Sequence, residues 1–546
     1  MIKRIKIENF KCFKGTFTLD FKNGINILVG NNEAGKSTIL EAIHLALTGI
    51  FRGKNIKGNL TQYLFNYEVI KEYIEKVNNG ESSIPPYILI ELYLDDSQPI
   101  LEGDKFSEKN FTGKTSGIAL KIALDEKYNE EYKSLIEMGN LESLPIEYYD
   151  IEWYSFARKA LTSRSIPIKS SFIDVGFSKF YNGSDIYISR IVQNILETDE
   201  KTKVAQAYRK VKEIFSKDES IAEINSKITN ISKLSDKNIE LTVDLGSGST
   251  WDGSLITQLD NIPFDFIGKG EQSIIKTDLA LSNKRAEASS IILIEEPECH
   301  ISHTRLNHLL NSIKDNYHDK QIILSTHSSF VSNKLGLDNL ILLNQQRTVK
   351  FENLNAKNFF EKVSGYDTLR LILSKKAILV EGDSDELVLQ RAYRDKNNNK
   401  LPIEDEVEII SVGTSFLRFL EIAEHLKIPV KVVTDNDGNL EALEKKYAEY
   451  LGDNRKENIE ICYDENVHTG SLTTGKNEKP FNYNTLEPAL LRANSLNILN
   501  SIFNTKYENE DDLLKYMKSH KTDCALEIFL STNQICYPEF IERALK

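Results

Sequence analysis

The sequence predicts an α/β chain in two successive parts. The first is a phosphate-binding P-loop part, and the second is built on a parallel sheet whose strand ends carry acids. Three observations carry this. Gly30-Asn31-Asn32-Glu33-Ala34-Gly35-Lys36-Ser37 fills the GxxxxGK[ST] pattern, with an apolar strand before it and a helix after it. The apolar run Ile291-Ile292-Leu293-Ile294 leads straight into Glu295-Glu296-Pro297. Further on, Ala377 to Val380 leads into Glu381-Gly382, and Val430 to Thr434 into Asp435-Asn436-Asp437.

The bulk properties set the limits. The chain has 546 residues, enough for roughly two to four domains with cores of their own. It is 40% hydrophobic with a mean hydropathy of −0.36, as expected of a water-soluble protein. Its apolar runs are strand-length and too short to cross a bilayer, so no membrane role is expected. The opening MIKRIKIENF lacks the apolar stretch of a signal peptide. Cys12, Cys299, Cys462, Cys524 and Cys536 include no CxxC pair, which argues against a zinc site or a disulfide framework and fits a reducing cytoplasm. The net charge of −13 argues mildly against a generic DNA coat but does not exclude a nuclease, because metal-binding acids add negative charge and phosphate contacts need only a local basic surface.

Taken in order, Lys3 to Ile7 and Phe17 to Phe21 alternate as strands, and Gly24 to Val29 is the strand that feeds the glycine loop. A helix follows with Ile39, Ile43, Leu45 and Leu47, and Tyr87 to Tyr93 is another strand. Residues 102–182 are polar and show no clear period. From Ile186 to Leu234 the pattern is helical, with Ile188, Ile191, Val192, Ile195 and Leu196 on one face and Val204, Tyr208, Val211 and Phe215 on another; solvated bundle helices and a dimerisation arm both fit it. Gly268-Lys269-Gly270-Glu271-Gln272 opens a helix, and Gln321 to Ser328 is a strand ending in Ser-Thr-His-Ser. One helix from Phe359 to Leu373 is expected as a connector. The second part then reads as strand Ala377–Val380, strand Val407–Val412, helix Phe416–Leu426 and strand Val430–Thr434. The resulting division is 1–180 and 238–356 for the two stretches of the ATPase, 181–237 for the helical insertion, 357–376 for the connector, 377–505 for the acid-bearing domain and 506–546 for its helical end.

The glycine loop needs backbone N–H groups and a helix N-terminus to cradle phosphates, which calls on Gly30, Asn31, Asn32, Gly35 and Thr38. Lys36 would meet the β- and γ-phosphates of ATP, and Ser37 and Glu295 would hold Mg²⁺. Glu296 is placed to polarise the attacking water, and His327 to sense the γ-phosphate. Gly268, Gly270 and Gln272 are placed to close on the nucleotide of a second subunit. Cys299, His300 and His303 flank Glu296 without a metal role. In a parallel sheet the strand C-termini share one edge, so Glu381, Asp435 and Asp437 are expected to converge. Carboxylates at this spacing suit Mg²⁺ or Mn²⁺, and two such ions serve phosphodiester hydrolysis.

The ATPase ensemble resembles the cassette-type ATPases of the structural-maintenance and repair kind. The acids resemble the Toprim domain of topoisomerases, primases and some nucleases. Together they look like the OLD (overcoming lysogenization defect) family of ATP-dependent endonucleases: a cassette-type P-loop ATPase with a helical dimerisation insertion, followed by a Toprim domain. The resemblance implies that Glu381 and Asp385 are the first metal-binding acids, with Asp385 where Glu is common. It implies that Asp435 and Asp437 are the paired acids, that Thr485 and Glu487 are the Ser-x-Glu-like pair, and that Lys521 in KTDCAL is the late catalytic lysine, with Lys515 and Lys518 close by. Two further departures are His300-Ile301-Ser302-His303 where the family has HLHP, and Lys11 where an Arg is common.

The activity implied is DNA cleavage under ATP control, in a homodimer or larger assembly. The family includes the nuclease subunit of Gabija and retron-associated effectors, so the resemblance also implies a bacterial anti-phage role and a helicase-like or reverse-transcriptase and noncoding-RNA partner. The alternative is a RecF-like or SMC-like repair ATPase whose second domain binds a partner and cleaves nothing. A topoisomerase would need a tyrosine domain for which the chain has no room.

Overall fold

A computed structural model of the chain describes all residues except 97, 105, 108–112, 138, 140, 163–164, 175–179, 182–183, 186–195, 232–257, 282–289, 317–318, 345–346, 352–353, 364 and 475–478. It divides into two compact units, residues 1–326 with 341–348, and residues 327–340 with 349–546.

The first unit holds two sheets. One is antiparallel, in the order Ala160–Leu161, Tyr149–Ser155, Thr115–Leu124, Ile88–Leu94, Ile2–Glu8 and Thr16–Asp20. Two of its central strands come from the stretch whose sequence shows no period. Thr115–Leu124 is buried continuously from Ser116 to Leu120, so it lacks alternation there; Tyr149–Ser155 does alternate, but over only seven residues between polar segments. The other sheet runs Ser170–Asp174, Ile291–Glu295, Gln321–Ser325, Ile25–Gly30, Leu340–Asn344 and Arg347–Lys350, with the first four strands parallel. Helix Lys36–Thr48 packs on both sheets, with Ile39, Leu40, Ile43, Leu45 and Leu47 all fully buried. Gln321, itself fully buried, bonds both the N–H and the carbonyl of Ile2 at 2.7 Å and so ties the two sheets together.

Of the expected helical insertion, helices Thr198–Ser216 and Glu219–Ile231 are described. Ile188, Ile191, Val192 and Ile195 lie outside the described residues. Val211, Ile214 and Phe215 stand exposed on the first of these helices.

The second unit is centred on a parallel sheet in the order Val407–Ser411, Lys376–Val380, Val430–Val433 and Ile459–Cys462. Helix Phe416–Leu426 has the bounds read from its pattern. The single connector helix is corrected: Lys357–Lys362 and Thr368–Leu373 are separate helices. Between them the chain carries Gly365 and Asp367, which favour turn over helix. Helices Leu486–Ala493, Leu496–Ile502, Glu510–Ser519, Lys521–Leu530 and Glu539–Ala544 complete the unit around one core that includes Val388, Leu389, Leu513 and Ile528. Among the described residues no helix is long and apolar enough to cross a membrane.

Candidate functional site

In the first unit the strand Ile25–Gly30 ends at the glycine loop, and helix Lys36–Thr48 begins directly after it. Gly35 sits at φ +97°, and a Cβ there would lie 2.5 Å from the ring of Phe13, so only glycine fits. The Lys36 ammonium is buried and donates to the carbonyls of Gly30 at 2.8 Å and Asn31 at 3.1 Å. Burial pulls its pKa below the usual lysine value, against the charges of Glu296, Glu295 and Glu298. Asn31 and Asn32 are exposed, Ser37 is half-buried and Thr38 is buried. Lys11 pairs with Glu41 on the helix behind the loop.

Glu295 ends its strand in register with Asp174 on one side and Ser325 on the other. Glu296 takes φ +43°, its N–H donates to the Ser325 carbonyl at 3.0 Å, and the Cys299 thiol donates to its Oε2 at 3.0 Å. Glu298 accepts a bond from the Thr326 hydroxyl at 2.7 Å, one residue before the exposed His327. Sequence reasoning passed over Cys299 and Glu298 as partners because neither spacing nor period marks them.

Helix Lys269–Leu281 starts inside the Gly268–Gln272 segment. Gly270 is required there by close approach, since a Cβ would meet the His300 carbonyl at 2.5 Å. Gln272 is buried, and its amide donates to the carbonyls of Phe264 and Ile267, both at 2.9 Å. Its side chain therefore shapes its own loop, while Gly268 stands exposed.

In the second unit the expected acids collect at the C-terminal edge of the sheet. Glu381 follows its strand directly and is exposed, with its carbonyl held by the Gly413 N–H at 3.0 Å. Asp385 folds back so that its Oδ2 accepts the Gly382 N–H at 3.0 Å. Asp435 is half-buried at the next strand end, and Asp437 sits at φ +49° with its Oδ1 accepting from Asn482 at 2.8 Å. Between these two acids, Asn436 is buried and donates to the carbonyls of Asp464 at 2.6 Å and Asn466 at 3.0 Å. Asn436 is the fixed point between its two acidic neighbours, a role hidden in the sequence by its polar character.

Both Glu487 oxygens are engaged. Thr485 donates to Oε2 at 3.0 Å and Lys521 contacts Oε1 at 3.1 Å, leaving the residue only 5% exposed. Of the three neighbouring lysines, Lys521 meets this carboxylate, whereas Lys515 pairs with Asp512 and Lys518 lies over the Phe481 ring. Helix Lys521–Leu530 is gripped at its far end by buried Arg391, which donates to the carbonyls of Ile528 at 2.8 Å, Ser531, and Asn533 at 3.0 Å. Arg391 is a second residue whose importance appears only in three dimensions.

The charges in this group oppose one another. Burial pushes Asp385 up to about 6, with Glu487 and Glu381 adding to it against the Gly382 N–H and Lys521. Asp435 is held well above the usual carboxylate range by burial and then by Asp385, Glu487, Glu381 and Asp437. Lys521 stays protonated more firmly than an ordinary lysine: burial works against its charge, but Glu487, Asp435 and Asp385 outweigh it. Among the described residues no three His, Cys, Asp or Glu side chains stand as a preformed metal cage. The donors nevertheless suit a hard cation: all are oxygens, and their mutual repulsion is what a divalent ion relieves.

Two family models match the chain, one within each unit. Residues 4–242 match the AAA domain family, and residues 372–437 match the family described as "Overcoming lysogenization defect protein-like, TOPRIM domain". The chain is similar to the OLD nuclease of Thermus scotoductus, 24% identical over 479 residues that cover 80% of this chain and 82% of that one. The DNA double-strand break repair Rad50 ATPase of Methanopyrus kandleri is 57% identical over 47 residues, 9% of this chain and 5% of its own. Among solved structures, an SMC head bound to the C-terminal winged-helix domain of ScpA aligns over 64% of this chain and 98% of its own at 13% identity, with a TM-score of 0.34.

Proposed function

We propose that this chain, which fits an OLD-family fusion of an ATPase with a Toprim domain, is an ATP-regulated, divalent-metal-dependent DNA endonuclease. The observation that carries the reading is the acid group of the second unit. Asp385 and Asp435 are raised first by burial and then by neighbouring acids, while Glu487 is held between Thr485 and Lys521. Acids gathered in this way at one sheet edge suit a divalent cation.

In this reading Glu381, Asp385, Asp435, Asp437 and Glu487, with Thr485, would hold Mg²⁺ or Mn²⁺. The bound ions would supply Lewis-acid activation of water and of the scissile phosphate. Lys521 neutralises charge that builds on the phosphate, and its bond to Glu487 fixes where the ammonium points. Asn436 keeps Asp435 and Asp437 at the sheet edge, and Arg391 keeps helix Lys521–Leu530 in place. Lys36 would bind the nucleotide's phosphates, Ser37 and Glu295 would hold its Mg²⁺, Glu296 would orient water, and His327 would report the γ-phosphate.

The reading extends, on family resemblance, to a cytoplasmic homodimer in bacterial anti-phage defence with a helicase-like or reverse-transcriptase partner. Exposed Val211, Ile214 and Phe215 support self-association, and light scattering that finds a monomer with and without ATP would count against it. The Rad50 similarity, confined to a short segment, keeps a repair-type ATPase as the second reading. Plasmid nicking separates the two. Wild type should cut in Mg²⁺ or Mn²⁺ and Asp435→Ala should not; equal cutting by both proteins removes the proposed site.

A further inference from the structure

The segment that begins with His327 is packed as part of the acid-bearing unit. Ser328 caps the helix Ser329–Leu335, which follows it directly. The Ser329 hydroxyl contacts Asp367 and accepts the Leu369 N–H at 3.1 Å. Asn333, fully buried, donates to the Tyr366 carbonyl at 2.7 Å and accepts from the Thr368 hydroxyl at 2.6 Å. The Tyr366 hydroxyl in turn bonds the Ser415 hydroxyl at 3.0 Å.

Ser415 closes the turn after strand Val407–Ser411, and that turn grips Glu381. The Gly413 N–H and the Ser411 hydroxyl both donate to the Glu381 carbonyl, at 3.0 and 3.4 Å. Arg370 anchors the same region by donating to Glu408 at 2.9 Å and to the Ile409 carbonyl at 2.9 Å. On its other side the turn borders a cavity of about 360 Å³ lined by Asn355, Ala356, Thr414, Ser415, Leu417 and Arg418, among others. Hydrogen bonds, joined by Tyr366 itself and by the short chain from Ser411 to Ser415, thus link the helix after His327 to the backbone that carries Glu381.

We propose that Tyr366 is a positioning residue of the cutting site: its hydroxyl holds the 411–415 turn, and thereby Glu381, in a place set by the helix that follows His327. The inference rests on the metal-dependent nuclease reading and names its regulation. A nucleotide sensed at His327 displaces or fixes helix Ser329–Leu335, and Asn333 and Tyr366 pass that displacement to the Glu381 turn. Both sites then bias one physical element, which is what coupling requires.

Tyr366→Phe removes the hydroxyl and keeps the ring that packs on Phe359, Phe360 and Phe419. Plasmid nicking over a series of Mg²⁺ concentrations, with and without ATP, is the test. In the variant, the Mg²⁺ needed for half-maximal cutting should rise roughly two- to tenfold, the loss of one hydrogen bond. The ratio of cutting rates with and without ATP should fall toward one, while ATP hydrolysis stays at the wild-type rate. Ser415→Ala breaks the same bond from the other side and should behave alike, and the double variant should be no worse than either alone. A Tyr366→Phe protein with wild-type Mg²⁺ dependence and ATP response overturns the inference, as do additive effects or a wild type whose cutting ignores ATP. A wild type that cuts no DNA overturns the nuclease reading, and this inference with it.

Discussion

Lys36 opens the helix after the glycine loop that follows strand Ile25–Gly30, and Asp435 lies just beyond the end of strand Val430–Val433, yet their charge problems are opposite. Lys36 is a buried cation whose direct bonds go to two backbone carbonyls, and burial weakens its hold on its proton. Asp435 is an acid among other acids, and burial with their repulsion strengthens its hold on one. Lys36 is a buried cation beside Glu296, Glu295 and Glu298, whereas Asp435 lies where acids crowd around Lys521. Each arrangement suits its own ligand, phosphates on the Lys36 ammonium in one case and divalent cations among the acids in the other. The comparison teaches that each site is built from its own residues for its own ligand, even though the two share a chain.

The strongest way to break the comparison is a crossed pair of variants. Glu381→Ala should lower DNA cutting by roughly a hundredfold or more, because an ion left short of a ligand positions the phosphate poorly. ATP turnover should be unchanged in that variant. Lys36→Ala should abolish ATP turnover and leave the metal-dependent cutting seen without nucleotide. Loss of both activities in either variant would show that the two sites do not rest on separate sets of residues.

A second variant tests what holds the acid region together. Arg391→Met removes the buried guanidinium that gathers the carbonyls of Ile528, Ser531 and Asn533 and pairs with Asp395 at 2.8 Å. The cost to stability is expected to be about 3 kcal/mol, that of breaking a buried hydrogen-bonded charge network. Urea unfolding followed by circular dichroism measures it. A midpoint unchanged from wild type would mean that the helical end of the unit needs no such anchor.

Much of this was legible in the sequence where chemistry or period leaves a mark. Helix Phe416–Leu426 shows its amphipathic repeat, and the glycine loop and the acid-bearing strand ends announce themselves by residue type. Arg391 leaves no mark, because its partners are backbone carbonyls far along the chain. Thr115–Leu124 was illegible for another reason: a strand buried on both faces loses its alternation. The single connector helix was misread because the apolar residues on either side of Gly365 keep a helical spacing across the break. Lys521 could be told from Lys515 and Lys518 only by the carboxylate it meets.

That lysine provides the next test. Lys521→Ala should slow cutting by roughly tenfold to a hundredfold, since it removes positive charge near the reacting phosphate. It should not weaken Mn²⁺ binding measured by calorimetry, because an ammonium is no ligand and its removal leaves Glu487 freer to serve as one. Weaker Mn²⁺ binding in this variant would mean that Lys521 holds the acids in place, and the charge contrast between the two regions would need another source.

The smallest expected effect sharpens the contrast by pH. Asp385 has a folded-state pKa raised to about 6, above its value in the unfolded chain. Above pH 6 it is charged in both states, and the folded state bears the full cost of keeping that charge among Glu487 and Glu381. As pH falls through 6 toward the unfolded value near 4, the folded protein takes up the proton first, so this group adds stability. With metal removed by chelator, the protein should therefore gain more stability between pH 7.5 and 5.5 than Asp385→Asn does, since that variant carries no charge to relieve. Carboxylates held below their usual range, such as Glu8 and Asp464, lose their contribution only at lower pH and stay outside this window. At pH 7.5 Mn²⁺ should close the gap between the two proteins, because a cation relieves the same repulsion that a proton does. Urea midpoints at the two pH values, each with chelator and with Mn²⁺, decide it. An identical pH response in wild type and Asp385→Asn would mean that the acids do not repel one another enough to mark a cation site.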